Sequence, residues 1–315
     1  MPGIVEDIVN GTFYCILAAS LFAWVQIVRK KVMKRLPILE PQTRKLPFWT
    51  LAEFFVCFGM FIVCTAAGQT VSRRWMSPAT IEKLNSGTFD DFSSLSSNDL
   101  LIMIMTGSVA SLLAMLSVVV WMNLVSRRLL NAYGLWPNWD DIKLGCKAAF
   151  FVLPPVLLIS TVIDHFVAYE HQVLDAIGKQ PAIETLCLLT FTTVLFTPIF
   201  EEFLFRVLLQ GGAEQIARRL KLTGRVERLP EHLNVDPIPA SEVATWPWWP
   251  VLMGSATFSM MHIGQGAAPI PLFFLALALG YLYRQTGRLW PCIMVHMILN
   301  TFTIVIVILA VYFEK

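Results

Sequence analysis

Glu201, His262, His296 and Asn300 are polar side chains set in stretches otherwise built of Phe, Leu, Ile and Met, and together they make a set for attacking a carbonyl with an activated water. A carboxylate has to deprotonate water, a second group has to orient it, and donors have to hold the oxyanion that develops on the carbonyl. Glu201 lies in the run Thr197-Pro198-Ile199-Phe200-Glu201-Glu202-Phe203-Leu204-Phe205-Arg206. On a helix Glu202 and Arg206 are four apart with the acid N-terminal, the favourable order for an ion pair, so Arg206 is expected to neutralise Glu202. Glu201 points about 100° away round the helix and meets only Leu204 and Phe205 at i+3 and i+4. It is the acid without a helical counter-ion, and therefore the one placed to move a proton.

Phe258 and His262 share a helix face, as do His296 and Asn300. Each feature alone has a plainer reading: two acids at a solvated helix end, a histidine at an interface, an Asn–His pair acting as hydrogen-bond glue between helices. One carboxylate, two imidazoles and an amide on three separate apolar segments make the catalytic reading the stronger one. His165 and His171, near Asp164 and Glu170, and His232 in a polar stretch read as solvated rather than as a surface metal site. Neither a Gly-x-Ser-x-Gly elbow nor His-Glu-x-x-His occurs, so serine chemistry and the common zinc-protease signature lack support.

The segments that must carry these residues are membrane helices. Hydrophobic residues make up 56% of the sequence and charged ones 15%, against about half and a quarter in soluble domains. Stretches near the length of about 20 apolar residues that a bilayer crossing needs occur eight times, roughly at 12–28, 47–67, 100–125, 146–166, 185–209, 246–262, 269–283 and 289–313. The expected fold is all-α, a polytopic transmembrane bundle of about eight spans. The seventh, short and bearing Pro269 and Pro271, is a candidate for a tilted or re-entrant segment. Basic residues gather in alternate loops, at Arg29–Lys45, Arg127–Lys143, Arg218–Arg228 and Arg284–Arg288. By the positive-inside bias those loops are cytoplasmic and both termini lie on the other side. Trp246, Trp248, Trp249 and Trp290 fit an interfacial belt.

The first run follows Glu6 and Asp7 and precedes the basic cluster, the reverse of a cleavable signal peptide. Six scattered cysteines without a Cys-x-x-Cys pair give neither a disulfide framework nor a zinc knuckle. A net charge of +2 with 24 basic and 22 acidic residues gives no case for a nucleic-acid partner. Segments 72–98 and 220–245 look soluble, the second as a polar cytoplasmic connection, and no internal repeat is apparent. The chain reads as one integral membrane domain, with four variable spans in 1–180 and a four-span core carrying the motifs in 183–313.

Those motifs resemble the CAAX prenyl protease and bacteriocin-processing (CPBP, or Abi) family of intramembrane proteases, whose three signatures are Glu-Glu-x-x-x-Arg, Phe-x-x-x-His and His-x-x-x-Asn on successive helices. Here they are Glu201, Glu202 and Arg206; Phe258 and His262; His296 and Asn300. The likeness covers about 185–303, and 280–290 looks like the family's connecting segment. The resemblance implies that Glu201 and His262 activate water, that His296 and Asn300 stabilise the oxyanion, and that Glu202, Arg206 and Phe258 support the site. It implies membrane-associated or lipidated peptide substrates and a multi-pass protein of the cell membrane. It is compatible with a zinc ion on Glu201, His262 and His296, or with a metal-free, glutamate-activated water. The pairing of His296 with Asn300, an uncommon zinc ligand but a good oxyanion donor, favours the second.

Two other functions fit the same residues. A proton-coupled transporter would use the intramembrane acids and histidines as a relay and would depend on a gradient. A non-catalytic membrane scaffold or immunity protein would keep its phenotype without Glu201. Depth also raises a difficulty. Glu201 falls near the cytoplasmic end of the fifth span and His296 about 10 Å into the eighth from that side, whereas a sixth span starting at Trp246 carries His262 to the far side. Straight helices would keep them apart, and Pro198, Pro247 and Pro250 mark where helices can depart from that ideal.

Overall fold

The computed structural model describes residues 2–45, 47–86, 95–126, 134–167, 182–223 and 237–313. The described residues are all-α, with ten helices. In chain order they are α1 (Pro2–Ile27, ending in a π turn at Val28–Val32), α2 (Leu51–Ser72), α3 (Pro78–Ser86), α4 (Ser97–Ser126) and α5 (Trp139–Asp164). Helix α6 is a continuous run of five pieces: Ile183–Phe191, a π segment Thr192–Phe196, Thr197–Glu202, a second π segment Phe203–Gln210, and Gly211–Thr223. Then follow α7 (Ala240–Ala244), α8 (Trp249–Met260), α9 (Pro269–Thr286) and α10 (Trp290–Phe313).

Local chemistry sets several of these ends. Thr50 and Glu53 form a capping box on α2, with Glu53 accepting the Thr50 N–H at 2.8 Å, and Asn138 with Asp141 does the same for α5. Asp141 is also gripped by Arg288 from the α9–α10 connection. Helix α9 stops at Gly287, whose φ of 65° is the left-handed cap that glycine adopts without a Cβ penalty. Within the polar stretch 72–98, α3 is pinned to the bundle: Asp99, at the start of α4, is buried and accepts from the Ser77, Thr80 and Ser96 hydroxyls at 2.7–2.9 Å.

Helix α2 packs along α4, α10 along α5, and α8 against α9, with α6 threaded among them. One continuous apolar core takes residues from α2, α4, α5, α6, α8, α9 and α10, so the first half of the chain shares its core with the segment that carries the motifs. Arg44, from the loop before α2, closes one end of the bundle. It pairs with Glu214 at 2.9 Å, donates to the Tyr283 and Arg284 carbonyls, and lies over the Trp246 and Tyr283 rings.

Among the described residues five helical runs are long and apolar enough to cross a membrane: 51–75, 97–124, 139–164, 183–221 and 290–309. They correspond to the second, third, fourth, fifth and eighth expected spans. The first lies in α1, a single helix, of which the side chains of 2–10, 12 and 13 fall outside the described residues. The sixth and seventh differ from expectation. Helix α8 starts at Trp249, after Pro247, and has 12 residues, about 18 Å against a hydrocarbon core of about 30 Å. It turns at Gly264 and Gly266, both at positive φ, into the 18-residue α9. Together they form a hairpin. His171 and His232, with Glu170, lie outside the described residues, while His165 is exposed at the end of α5.

Candidate active site

Helix α6 runs past Leu209, where the sequence suggested the span would end, to Thr223. Glu202, Arg206, Gln210, Glu214 and Arg218 are all buried; they recur every fourth position and form a ladder along one face. Arg206 Nε meets Glu202 Oε2 at 3.0 Å with both side chains wholly buried, and Arg206 Nη1 donates to the Ala276 carbonyl of α9 at 3.3 Å. Gln210 Nε2 donates to Glu214 at 3.0 Å and to the Gly280 carbonyl at 2.9 Å. Small residues of α9 let the ladder approach: a Cβ at Gly280 would lie 3.0 Å from Gln210 Oε1 and 3.2 Å from Arg206 Nη1. With its end further along, α6 carries Glu201 in its middle.

Glu202 also takes His296. Its Oε1 accepts from His296 Nδ1 at 3.0 Å, and the other edge of that ring, Nε2, faces Glu201 Oε2 at 3.8 Å, beyond a direct hydrogen bond. The buried acid thus holds the imidazole by one nitrogen and aims the second at its neighbour. Phe258 stands in the angle between both histidines, its ring 4.9 Å from His262 and 5.9 Å from His296, with the Arg206 guanidinium over its face at 5.7 Å. His262 lies in the turn after α8 with Nδ1 2.9 Å from the Phe258 carbonyl. A carbonyl only accepts, so Nδ1 carries a proton, and in the neutral ring that leaves the lone pair on Nε2.

Asn300 has a local task. In the first π segment Thr197 N–H reaches the Thr192 carbonyl, five residues back; the next donor in that register would be residue 198, a proline, which has no N–H. The Thr193 carbonyl is left over, and Asn300 Nδ2 takes it at 2.8 Å. One of the two amide hydrogens of Asn300 is used in this way, and the second remains.

Glu201, with a fifth of its side chain accessible, and His262 both open onto a cavity of about 400 Å³. Its walls are Phe58 and Phe61 of α2, Ile104, Ser108 and Ser111 of α4, Thr193, Thr197 and Phe200 of α6, and Gln265 of the α8–α9 turn. His296, Asn300 and Phe258 stand behind this lining. The walls from α2 and α4 and the amide of Gln265 carry no sequence signal: the former are ordinary apolar spans, and Gln265 lies in a Gly-Gln-Gly turn. Gln265 Oε1 is buried with no hydrogen-bond donor among the described residues.

Zinc needs several donors converging at about 2 Å. Among the described residues no group of three or more His, Cys, Asp or Glu side chains is gathered in that way. His296 engages Glu202 and His262 the Phe258 carbonyl through Nδ1, contacts that also orient zinc-bound imidazoles and so do not by themselves exclude a metal. What does not fit a zinc ion is the spacing: Glu201, His262 and His296 are not gathered about one point.

Residues 183–302, little more than a third of the chain, match the family of type II CAAX prenyl endopeptidases, Rce1-like. They form an Rce1-like domain. No curated protein and no solved structure matches the chain. The Rce1-like domain begins with α6 and ends in α10, so it contains all three motif helices, while the α2 and α4 walls of the cavity lie outside it.

Proposed function

We propose that the chain is an intramembrane endopeptidase of the CAAX type, hydrolysing peptide bonds of membrane-associated or lipidated substrates. The observation that carries this reading is that Glu201, the motif acid not paired to Arg206, opens with His262 onto a cavity whose other walls are mainly apolar. Glu201 takes a proton from a water that His262 Nε2 orients, and the hydroxide adds to the substrate carbonyl. His296 Nε2, in the doubly protonated ring held by Glu202, and the second N–H of Asn300 stabilise the oxyanion. Glu201 then returns its proton to the leaving amine as the C–N bond breaks. The apolar walls take the chain or lipid beside the cleaved bond.

The chain acts as one integral membrane unit in the cell membrane, with 183–313 carrying the chemistry and the earlier helices walling it. Both termini lie on the non-cytoplasmic side. A hairpin of α8 and α9 returns the chain to the side it left, as two full crossings would, so the alternation of basic loops keeps its sense. An eight-segment bundle with that hairpin in place of two full spans also explains how His262 reaches the depth of Glu201. The test is cleavage of a fluorogenic farnesylated peptide by the purified full chain in liposomes with no ion gradient. Turnover without a gradient is expected; gradient-dependent uptake with no cleavage would replace this reading with a transporter.

A further inference from the structure

A second slot lies on the opposite side of α9. It encloses about 710 Å³ between α1, α5 and α9, and its body is apolar, with Phe22, Phe151, Leu279 and Leu282 among its walls. Lysines gather on it: Lys30 and Lys31 from the end of α1 and Lys147 from the first turns of α5. They come to one level because α1 and α5 run side by side, tied by the Trp24 indole, which donates to the Phe151 carbonyl at 2.8 Å. Lys31 is engaged by Glu40 at 3.1 Å. Lys30 and Lys147 are exposed and, among the described residues, face no carboxylate. The slot shares no residue with the cavity at Glu201. Between them stands α9, whose other face supplies the Ala276 and Gly280 carbonyls to Arg206 and Gln210.

An apolar body under a cluster of unpaired cations, on helices of membrane-crossing character, has the chemistry of a phospholipid site with an anionic headgroup. We propose that this slot binds an anionic phospholipid of the surrounding leaflet, an acyl chain lying along α5 and α9 and the headgroup phosphate held by Lys30 and Lys147. A lipid attached near the cleaved bond of a substrate belongs by contrast beside Glu201, across α9. The site is independent of the peptidase reading.

The test is equilibrium binding of phosphatidylglycerol and phosphatidylcholine to the full chain in neutral detergent, counted by native mass spectrometry. Wild type is expected to prefer phosphatidylglycerol. Lys30→Gln combined with Lys147→Gln, checked for folding by thermal melting, should weaken phosphatidylglycerol about 30-fold and leave phosphatidylcholine unchanged. Ala148→Phe, which fills the slot and keeps the lysines, should lose phosphatidylglycerol as well. Equal binding of the two lipids by wild type, or unweakened phosphatidylglycerol binding by the double variant, would overturn the proposal. So would competition by inorganic phosphate, which would mean a small-anion site, or by a farnesylated peptide, which would give the slot to substrate.

Discussion

Replacing Arg206 by alanine should be among the most damaging single changes in this chain. The guanidinium is wholly buried and has three engagements: the Glu202 carboxylate at 3.0 Å, the Ala276 carbonyl at 3.3 Å and the face of Phe258 at 5.7 Å. Truncation leaves Glu202 as a buried acid whose described partner is His296, and the cost of breaking one side of such a pair is about 3–5 kcal/mol. That is comparable with much of the total stability of about 5–15 kcal/mol expected of a domain. Glu202→Gln should cost a similar amount by leaving Arg206 uncompensated. Removing both charges, as Glu202→Gln with Arg206→Ala, should be milder than the sum, because no unpaired ion remains. Thermal unfolding of the four proteins in one detergent gives the cycle. Arg206→Ala melting with wild type, or a double variant equal to the sum of the singles, would show that the pair is not the buried, coupled unit described.

Gly280→Ala places a Cβ 2.9 Å from Val251 and 3.0 Å from Gln210 Oε1, so it should cost about 1–3 kcal/mol by overpacking; a melting temperature equal to wild type would mean α9 shifts freely. For topology, a cysteine at exposed Asn85 should react with an impermeant reagent added outside intact cells, and one at exposed Lys221 should be protected; the opposite pattern would invert the orientation drawn from the basic loops.

The Glu202–Arg206 pair was legible in the sequence because it is local: a helix puts i and i+4 side by side whatever surrounds them. The motif residues were legible for a related reason, being polar where apolar neighbours made them costly. What could not be read was set by tertiary contacts. Arg218 reads in the sequence as part of a basic loop, yet Glu242 pairs with it and Arg44, far away in sequence, pairs with Glu214, and α6 continues. That extension places Glu201 mid-helix, and together with the late start of α8 it removes the mismatch in depth that straight spans implied. The engagement of Asn300 with Thr193 required knowing that a π turn places Pro198 where a donor was due. Phe58 and Phe61 on the cavity wall differ in no way from other core aromatics until the bundle is assembled.

The most direct test of the account is the rate at which Glu201→Gln cleaves a farnesylated peptide in proteoliposomes, with insertion and melting verified. Glutamine preserves the shape of the side chain that opens onto the cavity beside His262 but takes no proton from water. Because Arg206 and His296 are bound to Glu202, the fold should be retained. Cleavage should fall by about 10²- to 10⁴-fold, the range for a lost general base, and adding His262→Ala should reduce it little further, since the two groups act on the same water. A folded Glu201→Gln protein that cleaves at close to the wild-type rate would contradict the assignment of Glu201 as the base.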